Sequence, residues 1–304
     1  SFSKEFTTDK NGEISLTDLE PGSYTVKEIT APDGYIVDDD ISIIQINGNE
    51  NAQFVFTNTP KPSLSLLKYD PAAQKYLSGS VFRITKIEDG SNYLDRITDT
   101  NGKIQLDNLD PGIYSVKEVS APDGYILNEK EYHVELFPGK TSQIVVENLA
   151  KPNLLIVKTD AVTGKRIKGV TFTVNKVDSS TLTTVETDEN GEALLEKMDA
   201  GIYKITEKSV PDNYLLNETP QLITLEPNKT GIVRFENYQK PNLTINKVDS
   251  ITKDPLKSAK FNIVYASNNT FTGEINDLGT YTTDENGQII LENLNDGWYK
   301  ITEI

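Results

Sequence analysis

The chain contains no cysteine, which removes disulfides, zinc–thiolate centres and a thiol nucleophile from its chemistry. Histidine is nearly absent too. The one copy, His133, lies in the strand-like stretch EYHVEL, where it reads as a surface or edge residue without partners for catalysis or metal ligation. No apolar run approaches the roughly 18–20 residues of a membrane helix, and no charged-then-apolar leader opens the chain. Membrane insertion of this segment is therefore not expected, and any export signal or wall anchor is expected to lie outside it. Positive charge is in the minority: 30 Lys and Arg face 46 Asp and Glu, a net charge of −16. A nucleic-acid or anionic-lipid partner would be repelled by that balance. A solvated surface is the expected role of the charge, with cation binding or charge-steered partners as the alternative.

What is present is repetition. YTVKEITAPDGY at 24–35 returns as YSVKEVSAPDGY at 114–125, then as YKITEKSVPDNY at 203–214 and YKITEI at 299–304. The tyrosines heading these phrases are 90, 89 and 96 residues apart, so the 304 residues form an array of four repeats. Before each phrase stands an Asn-Gly pair between alternating apolar residues, as in TDTNGKIQLDNLDPG, and this pair predicts a tight hairpin turn. Strand-like runs dominate, for example LSLLKYD, VFRITKI, KIQLDNL, IYSVKEV, YHVELF and QIVVENL of the second repeat. No helix-period segment of useful length occurs. Some seven short strands in about 90 residues predict an all-β fold, a tandem array of immunoglobulin-like (prealbumin-like) antiparallel β-sandwich domains. Proline-containing junctions such as TNTPKPS, ENLAKPN and ENYQKPN separate the repeats. The expected domains are 1–59, a partial repeat lacking its first strands; 60–149 and 150–238, both complete; and 239–304, a partial repeat lacking its last strands. Truncation of a longer array, or completion by strands of a neighbouring chain, would account for the partial ends.

Alternate side chains of a strand share a face, and three polar residues fall on the apolar face. Tyr114, Val116 and Glu118 lie together, as do Tyr24, Val26 and Glu28; Tyr203, Ile205 and Glu207; and Tyr299, Ile301 and Glu303. The strand after each linker ends its apolar series on lysine: Leu64, Leu66, Lys68; Leu154, Ile156, Lys158; Leu243, Ile245, Lys247. The last strand ends on asparagine: Phe54, Phe56, Asn58; Ile144, Val146, Asn148; Val233, Phe235, Asn237. Glutamate and asparagine are separated by 30 residues in all three repeats that contain both. A lone buried charge costs several kcal/mol, roughly, unless it is paired or neutralised. Lys, Glu and Asn are therefore expected to meet in the core.

The physics of such a site leaves two readings open. One is a buried ion pair completed by an amide, a polar network that fixes strand register. The other is covalent. An apolar site favours a neutral amine and a carboxylic acid, and the amine then attacks the Asn carboxamide while the acid shuttles protons, releasing ammonia and leaving an isopeptide bond. The combination of LLKYD, PGIYSVKEVSAPDGY and VVEN, with DTNG between, resembles the collagen-adhesin B-type (Cna-B-like) domains of Gram-positive surface adhesins and pilins, over essentially the whole chain. The resemblance implies autocatalytic bonds from Lys68 to Asn148, promoted by Glu118, and from Lys158 to Asn237, promoted by Glu207. Glu28 and Asn58 lack a lysine strand, and Lys247 and Glu303 lack an asparagine strand, so the outer repeats are expected to form no bond.

That resemblance further implies a structural stalk, secreted and held at the cell wall or surface of a Gram-positive bacterium, without cofactor or metal and without an external substrate. Host extracellular matrix or neighbouring surface subunits are the implied partners. A pilus shaft is the main rival, but its lysine-donor and sorting motifs are not found; Lys151 and Lys240 read as linker lysines. A ligand-binding array is a second rival, for which the extended stretch at 265–281 is the candidate loop. The DKNGE, DTNGK, DENGE and DENGQ stretches echo a calcium loop, yet lack its spaced glutamate and flanking helices, so they read as turns. Tyr35, Tyr125 and Tyr214 read as packing beside the glutamate strand.

Overall fold

The computed structural model describes residues 3–48, 51–88, 90 and 93–304. The chain divides into two compact units, Ser1–Asn148 and Leu149–Ile304. In the first unit the leading repeat contributes an antiparallel pair, β1 (Gly22–Lys27) and β2 (Ile41–Ile46). The second repeat follows with β3 (Ser63–Asp70), β4 (Lys75–Tyr76), β5 (Val81–Lys86), β6 (Tyr93–Ile97), β7 (Lys103–Leu106), β8 (Gly112–Ser120), β9 (Glu131–Leu136) and β10 (Thr141–Glu147).

In the second unit the third repeat comprises β11 (Asn153–Asp160), β12 (Thr171–Lys176), β13 (Leu182–Glu186), β14 (Glu192–Leu195), β15 (Gly201–Ser209), β16 (Gln221–Leu225) and β17 (Thr230–Asn237). The fourth supplies β18 (Leu243–Asn246), β19 (Lys260–Ala266), β20 (Ile275–Thr282), β21 (Gln288–Leu291) and β22 (Trp298–Glu303). No helix occurs among the described residues. The fold is all-β, an array of immunoglobulin-like sandwiches.

Each complete repeat is two facing sheets. In the second, β10-β3-β4 with β7 on β3 faces β6-β5-β8-β9; in the third, β14-β11-β17 faces β13-β12-β15-β16. Period-2 alternation sends Leu64, Leu66, Ile104 and Val146 from one sheet against Phe82, Ile84, Val116 and Leu136 from the other. The third repeat packs Leu154, Ile156 and Phe235 against Phe172, Val174 and Ile205 in the same way. Each such side chain, fully withdrawn from water, stabilises the sandwich by about 1.5–3 kcal/mol.

Three features depart from the expectations. First, the opening and closing strands of a complete repeat run parallel: β3 pairs with β10 from Ser63 to Tyr69, and β11 with β17 over its whole length. Second, the Asn-Gly turn does not close a hairpin. β6 belongs to one sheet and β7 to the other, so the turn is a corner between sheets, although its own ends are tied by Asp99 N–H to Lys103 O at 3.0 Å. The Asp preceding it organises the corner, with Asp99 Oδ1 accepting the N–H groups of Asn101 and Lys103, both at 2.8 Å. Third, the stretch of Phe54, Phe56 and Asn58 forms no strand. Its counterparts in complete repeats are held by the parallel partner that carries the lysine, and no such strand lies beside it among the described residues; Phe54 and Phe56 are half exposed.

Candidate functional site

The parallel ladder brings the lysine and the asparagine together. Lys158 is registered opposite Phe235 and Asp160 opposite Asn237, so the asparagine lies one same-face step beyond the lysine's direct partner. A long side chain reaches that diagonal neighbour. In the second repeat Lys68 stands opposite Val146, and Asn148 follows two residues later. The glutamate arrives from the facing sheet, where Glu118 pairs with Phe82 and Glu207 with Phe172. A β-bulge sits immediately after each glutamate, between the Phe82 and Val81 pairings and between those of Phe172 and Thr171. Bulges of this kind re-aim a side chain.

Lys68, Glu118 and Asn148 are 0%, 1% and 2% exposed. Lys68 Nζ donates to Asn148 Oδ1 and lies 3.5 Å from Glu118 Oε1. Asn148 Nδ2 donates to the same Glu118 oxygen at 3.1 Å, and the Asn128 N–H donates to Glu118 Oε2 at 2.8 Å. The Phe82 ring covers the ammonium at 5.7 Å. The third repeat reproduces the site: Lys158 Nζ donates to Asn237 Oδ1 and lies 3.2 Å from Glu207 Oε2. Asn237 Nδ2 donates to Glu207 Oε1 at 2.6 Å and to Leu215 O at 2.5 Å, and the Asn217 N–H reaches Glu207 Oε1 at 2.9 Å.

Burial pushes the Lys68 and Lys158 ammonium groups below the usual lysine value, against the opposing pull of Glu118 and Glu207. A neutral amine is therefore easier to reach here than in water. Each amine touches the carboxamide it would attack, and one carboxyl spans the attacking nitrogen and the nitrogen that would leave. That is the geometry for relaying a proton between two amines.

The outer repeats hold part of the set. Glu28 Oε2 accepts from Asn58 Nδ2 at 2.6 Å and from the Asp38 N–H at 2.7 Å. In the fourth repeat Lys247 Nζ and Glu303 Oε2 form an ion pair at 2.9 Å, with side chains 32% and 50% exposed. No strand covers them among the described residues, and the pair is partly solvated rather than buried.

The repeated phrases have local jobs at this site. The phenol of the heading tyrosine donates to the carbonyl four residues before it, as Tyr114 to Asp110 O and Tyr203 to Asp199 O at 2.9 Å, which fixes where the glutamate strand begins. The glycine of the Asn-Gly pair touches the lysine itself: Gly102 O accepts the Lys68 N–H at 2.8 Å, and Gly102 adopts φ 70. A Cβ at Gly102 would come within 2.8 Å of Lys68 O and of Leu77 N.

Other candidate residues are placed away from this chemistry. His133 is exposed on β9, 3.4 Å from Glu131. Lys151 forms an ion pair with Asp199 at 2.9 Å, and the Lys240 N–H donates to Asn213 O at 2.8 Å. About half of the 265–281 stretch is strand, leaving 267–274 as its connection, closed by Asn268 Oδ1 accepting from Thr270. Among the described residues no three His, Asp or Glu side chains converge as a metal site would. Sequence reasoning missed Asp70 and Asp160, both buried two residues beyond the lysines. The signal was available, since KYD, KTD and KVD keep the aspartate on the lysine's own face.

Comparison with known proteins agrees with the repeat architecture. The model of the family described as SpaA, prealbumin-like fold domain, matches residues 2–60, 62–150, 152–239 and 241–304. Serine-aspartate repeat-containing protein D of Staphylococcus aureus (strain Newman) is 26% identical over 371 aligned residues, covering 98% of this chain and 27% of that protein. The chain thus spans about a quarter of the length of that relative. The collagen adhesin of Staphylococcus aureus is 26% identical over 195 residues, covering 60% of this chain and 16% of that protein. The shaft pilin SpaA from Lactobacillus rhamnosus GG aligns in structure with 60% of this chain and 98% of its own, at 16% identity and a TM-score of 0.41. With four family matches laid end to end over four repeats of one sandwich, the chain belongs to the SpaA prealbumin-like domain family, as a tandem array of Cna-B-like repeats.

Proposed function

We propose that each complete repeat crosslinks itself once, and that the array serves as a structural stalk at the surface of a Gram-positive bacterium. The observation that carries the first part is the contact of a fully buried lysine with a buried asparagine carboxamide under a bridging glutamate, present twice. The neutral Lys68 amine attacks Asn148 Cγ. Glu118 takes a proton from the attacking nitrogen and delivers one to the departing amide nitrogen. A C–N bond forms, the Cγ–Nδ2 bond breaks, and ammonia leaves. Lys158, Asn237 and Glu207 do the same. Preorganised intramolecular reactions gain effective molarities of about 10⁵ M or more, so proximity supplies much of the acceleration. The chemistry consumes its own side chains and turns over once; it is not an enzyme's action on an external substrate.

A stalk follows from what such a bond does. Residues 68 and 148 are 80 apart, and tying them removes chain entropy from the unfolded state worth about 4–5 kcal/mol by analogy with a disulfide. Unlike a disulfide the link is not reducible, which suits a chain without cysteine. Local opening, the step that proteolysis needs, becomes rarer. Membership of the family, and a relative named a collagen adhesin, support a surface location and partners among matrix components or neighbouring surface subunits.

The test is the intact mass of the purified chain, followed by peptides spanning Lys68 with Asn148 and Lys158 with Asn237. Loss of about 17 Da per complete repeat is expected, with Glu118→Ala and Glu207→Ala each restoring one increment. An unmodified mass would reduce both sites to buried polar networks.

A further inference from the structure

The buried carboxylates of Asp70 and Asp160 take no part in the chemistry above. Asp70 Oδ1 accepts the N–H groups of Ala72 and Ala73 at 2.9 and 3.0 Å, and its Oδ2 accepts the Tyr125 hydroxyl at 2.9 Å. Asp160 Oδ1 accepts from the Val162 and Thr163 N–H groups at 3.0 and 2.8 Å; Oδ2 accepts the Tyr214 hydroxyl at 3.1 Å and Gln239 Nε2 at 2.7 Å. Burial pushes the Asp70 carboxyl up, but the Ala73 N–H, the Tyr125 hydroxyl and the Ala72 N–H outweigh it and hold the group below the usual carboxylate value. It stays ionised and accepting.

Both tyrosines belong to the loop that also supplies the site's backbone contacts. Three residues after them come the N–H groups of Asn128 and Asn217 that bind the glutamates, and next to Tyr214 is the Leu215 carbonyl that holds Asn237 Nδ2. The first repeat separates the parts. Among its described residues there is no lysine strand, yet Glu28 still holds Asn58 and the Asp38 N–H, and Ile36 O accepts from Asn58 Nδ2 at 3.0 Å. Glutamate, loop and asparagine thus assemble as a half-site without a counterpart of Asp70 among the described residues. In the complete repeats the parallel ladder sets the register of the lysine strand on the asparagine strand, and the Asp–Tyr contact adds a tie from that strand to the loop, two residues from the lysine.

We propose that Asp70–Tyr125 and Asp160–Tyr214 are positioning pairs for isopeptide formation, which anchor the lysine strand to the preassembled glutamate–asparagine half-site so that Nζ meets the carboxamide. The inference rests on the self-crosslinking reading. A misplacement of about 1 Å costs about a hundredfold in such reactions, so an added clasp beside the nucleophile has leverage on rate.

The test uses the full chain, made by cell-free synthesis and quenched at intervals, with peptide masses read separately for the two repeats. In Tyr125→Phe the Lys68–Asn148 crosslink should form about ten- to a hundredfold more slowly, while Lys158–Asn237 in the same molecules keeps the parent rate; Tyr214→Phe should reverse the pattern. Hydrogen exchange of the Ser63–Asp70 amides, compared between Glu118→Ala and Glu118→Ala/Tyr125→Phe, isolates folding from rate. Slower crosslinking with equal protection supports positioning. An unchanged rate, or a rate that falls only in proportion to lost protection, overturns it. Should Tyr125→Phe fail to fold, Tyr214→Phe carries the same comparison in the third repeat. A parent chain with no mass loss refutes the crosslinking reading itself, a separate result.

Discussion

Replacing Glu207 by glutamine isolates the proton carrier from the shape around it. The amide keeps an oxygen to accept from the Asn217 N–H and Asn237 Nδ2, which Glu207 Oε1 now holds at 2.9 and 2.6 Å. It removes the carboxylate that bridges the two nitrogens, 3.2 Å from Lys158. Lys158 and Asn237 should then remain unlinked, and about 17 Da of ammonia should be retained in the third repeat. The loop between them is 79 residues, for which the chain-entropy relation gives about 4.5 kcal/mol of lost stabilisation. The unlinked Lys158 amine, buried without its carboxylate, adds little to this if it sheds its proton, a change that burial already favours. For a domain of this size the midpoint should fall by roughly 20 °C or more. Hydrogen exchange across the β11–β17 ladder, with the β3–β10 ladder as the reference in the same molecule, reads the effect in the right repeat. Ammonia loss at Lys158–Asn237 in Glu207→Gln would refute the relay, and an unlinked repeat with undiminished protection would refute the stability argument.

The pH profile of crosslinking should have a descending alkaline limb. The reactive amine–acid pair contains the same single proton as the ammonium–carboxylate pair, so the rate is level while the pair holds it. As pH rises through the lysine's folded value, which burial sets below 10.5, that proton is lost and the rate drops; a rate still climbing through 10.5 would contradict this. Gly102→Ala and Gly164→Ala share a φ of 70 in the parent chain, but only Gly102 has backbone within 2.8 Å of a new Cβ, while Gly164 has nothing within 4 Å. The first should cost about 2 kcal/mol or more and the second about 1 by denaturant titration, and equal costs would mean that the contact with Lys68 O relaxes freely. Lys247→Ala, at a half-wet ion pair, should change stability by no more than about 1 kcal/mol. A loss several times larger would mean that this site is as closed as that of Lys68.

Period-2 phase made the three polar positions legible, because a lysine after Leu64 and Leu66, or a glutamate after Tyr114 and Val116, has nowhere to point but inward. Phase says which face a residue occupies, but not which strand lies beside it. Hence the parallel pairing of β3 with β10 was invisible, as was the corner at Asn101–Gly102, whose Asn-Gly signature describes a chain reversal and not the sheets it joins. The Phe54–Asn58 stretch has a strand's pattern and no strand, since a ladder needs its second member. Asp70 and Asp160 obeyed the same phase rule as the lysines and were overlooked because a strand-ending aspartate reads equally well as a turn residue. Here Asp70 is both, capping the turn with one oxygen and holding Tyr125 with the other.

The parallel closing strand also determines how a repeat is stretched. Because β3 and β10 point the same way, a pull on the two ends of the repeat slides one strand along the other, and the ladder from Thr141–Ser63 to Glu147–Tyr69 is strained all at once instead of unzipping pair by pair. Lys68 and Asn148 lie at the exit end of that ladder. A link there leaves the 80 residues between them as slack that tension never reaches. At about 3.4 Å per extended residue, such a loop would otherwise lengthen the chain by about 270 Å. A crosslinked repeat is therefore nearly inextensible, and its length under load is set by one short strand.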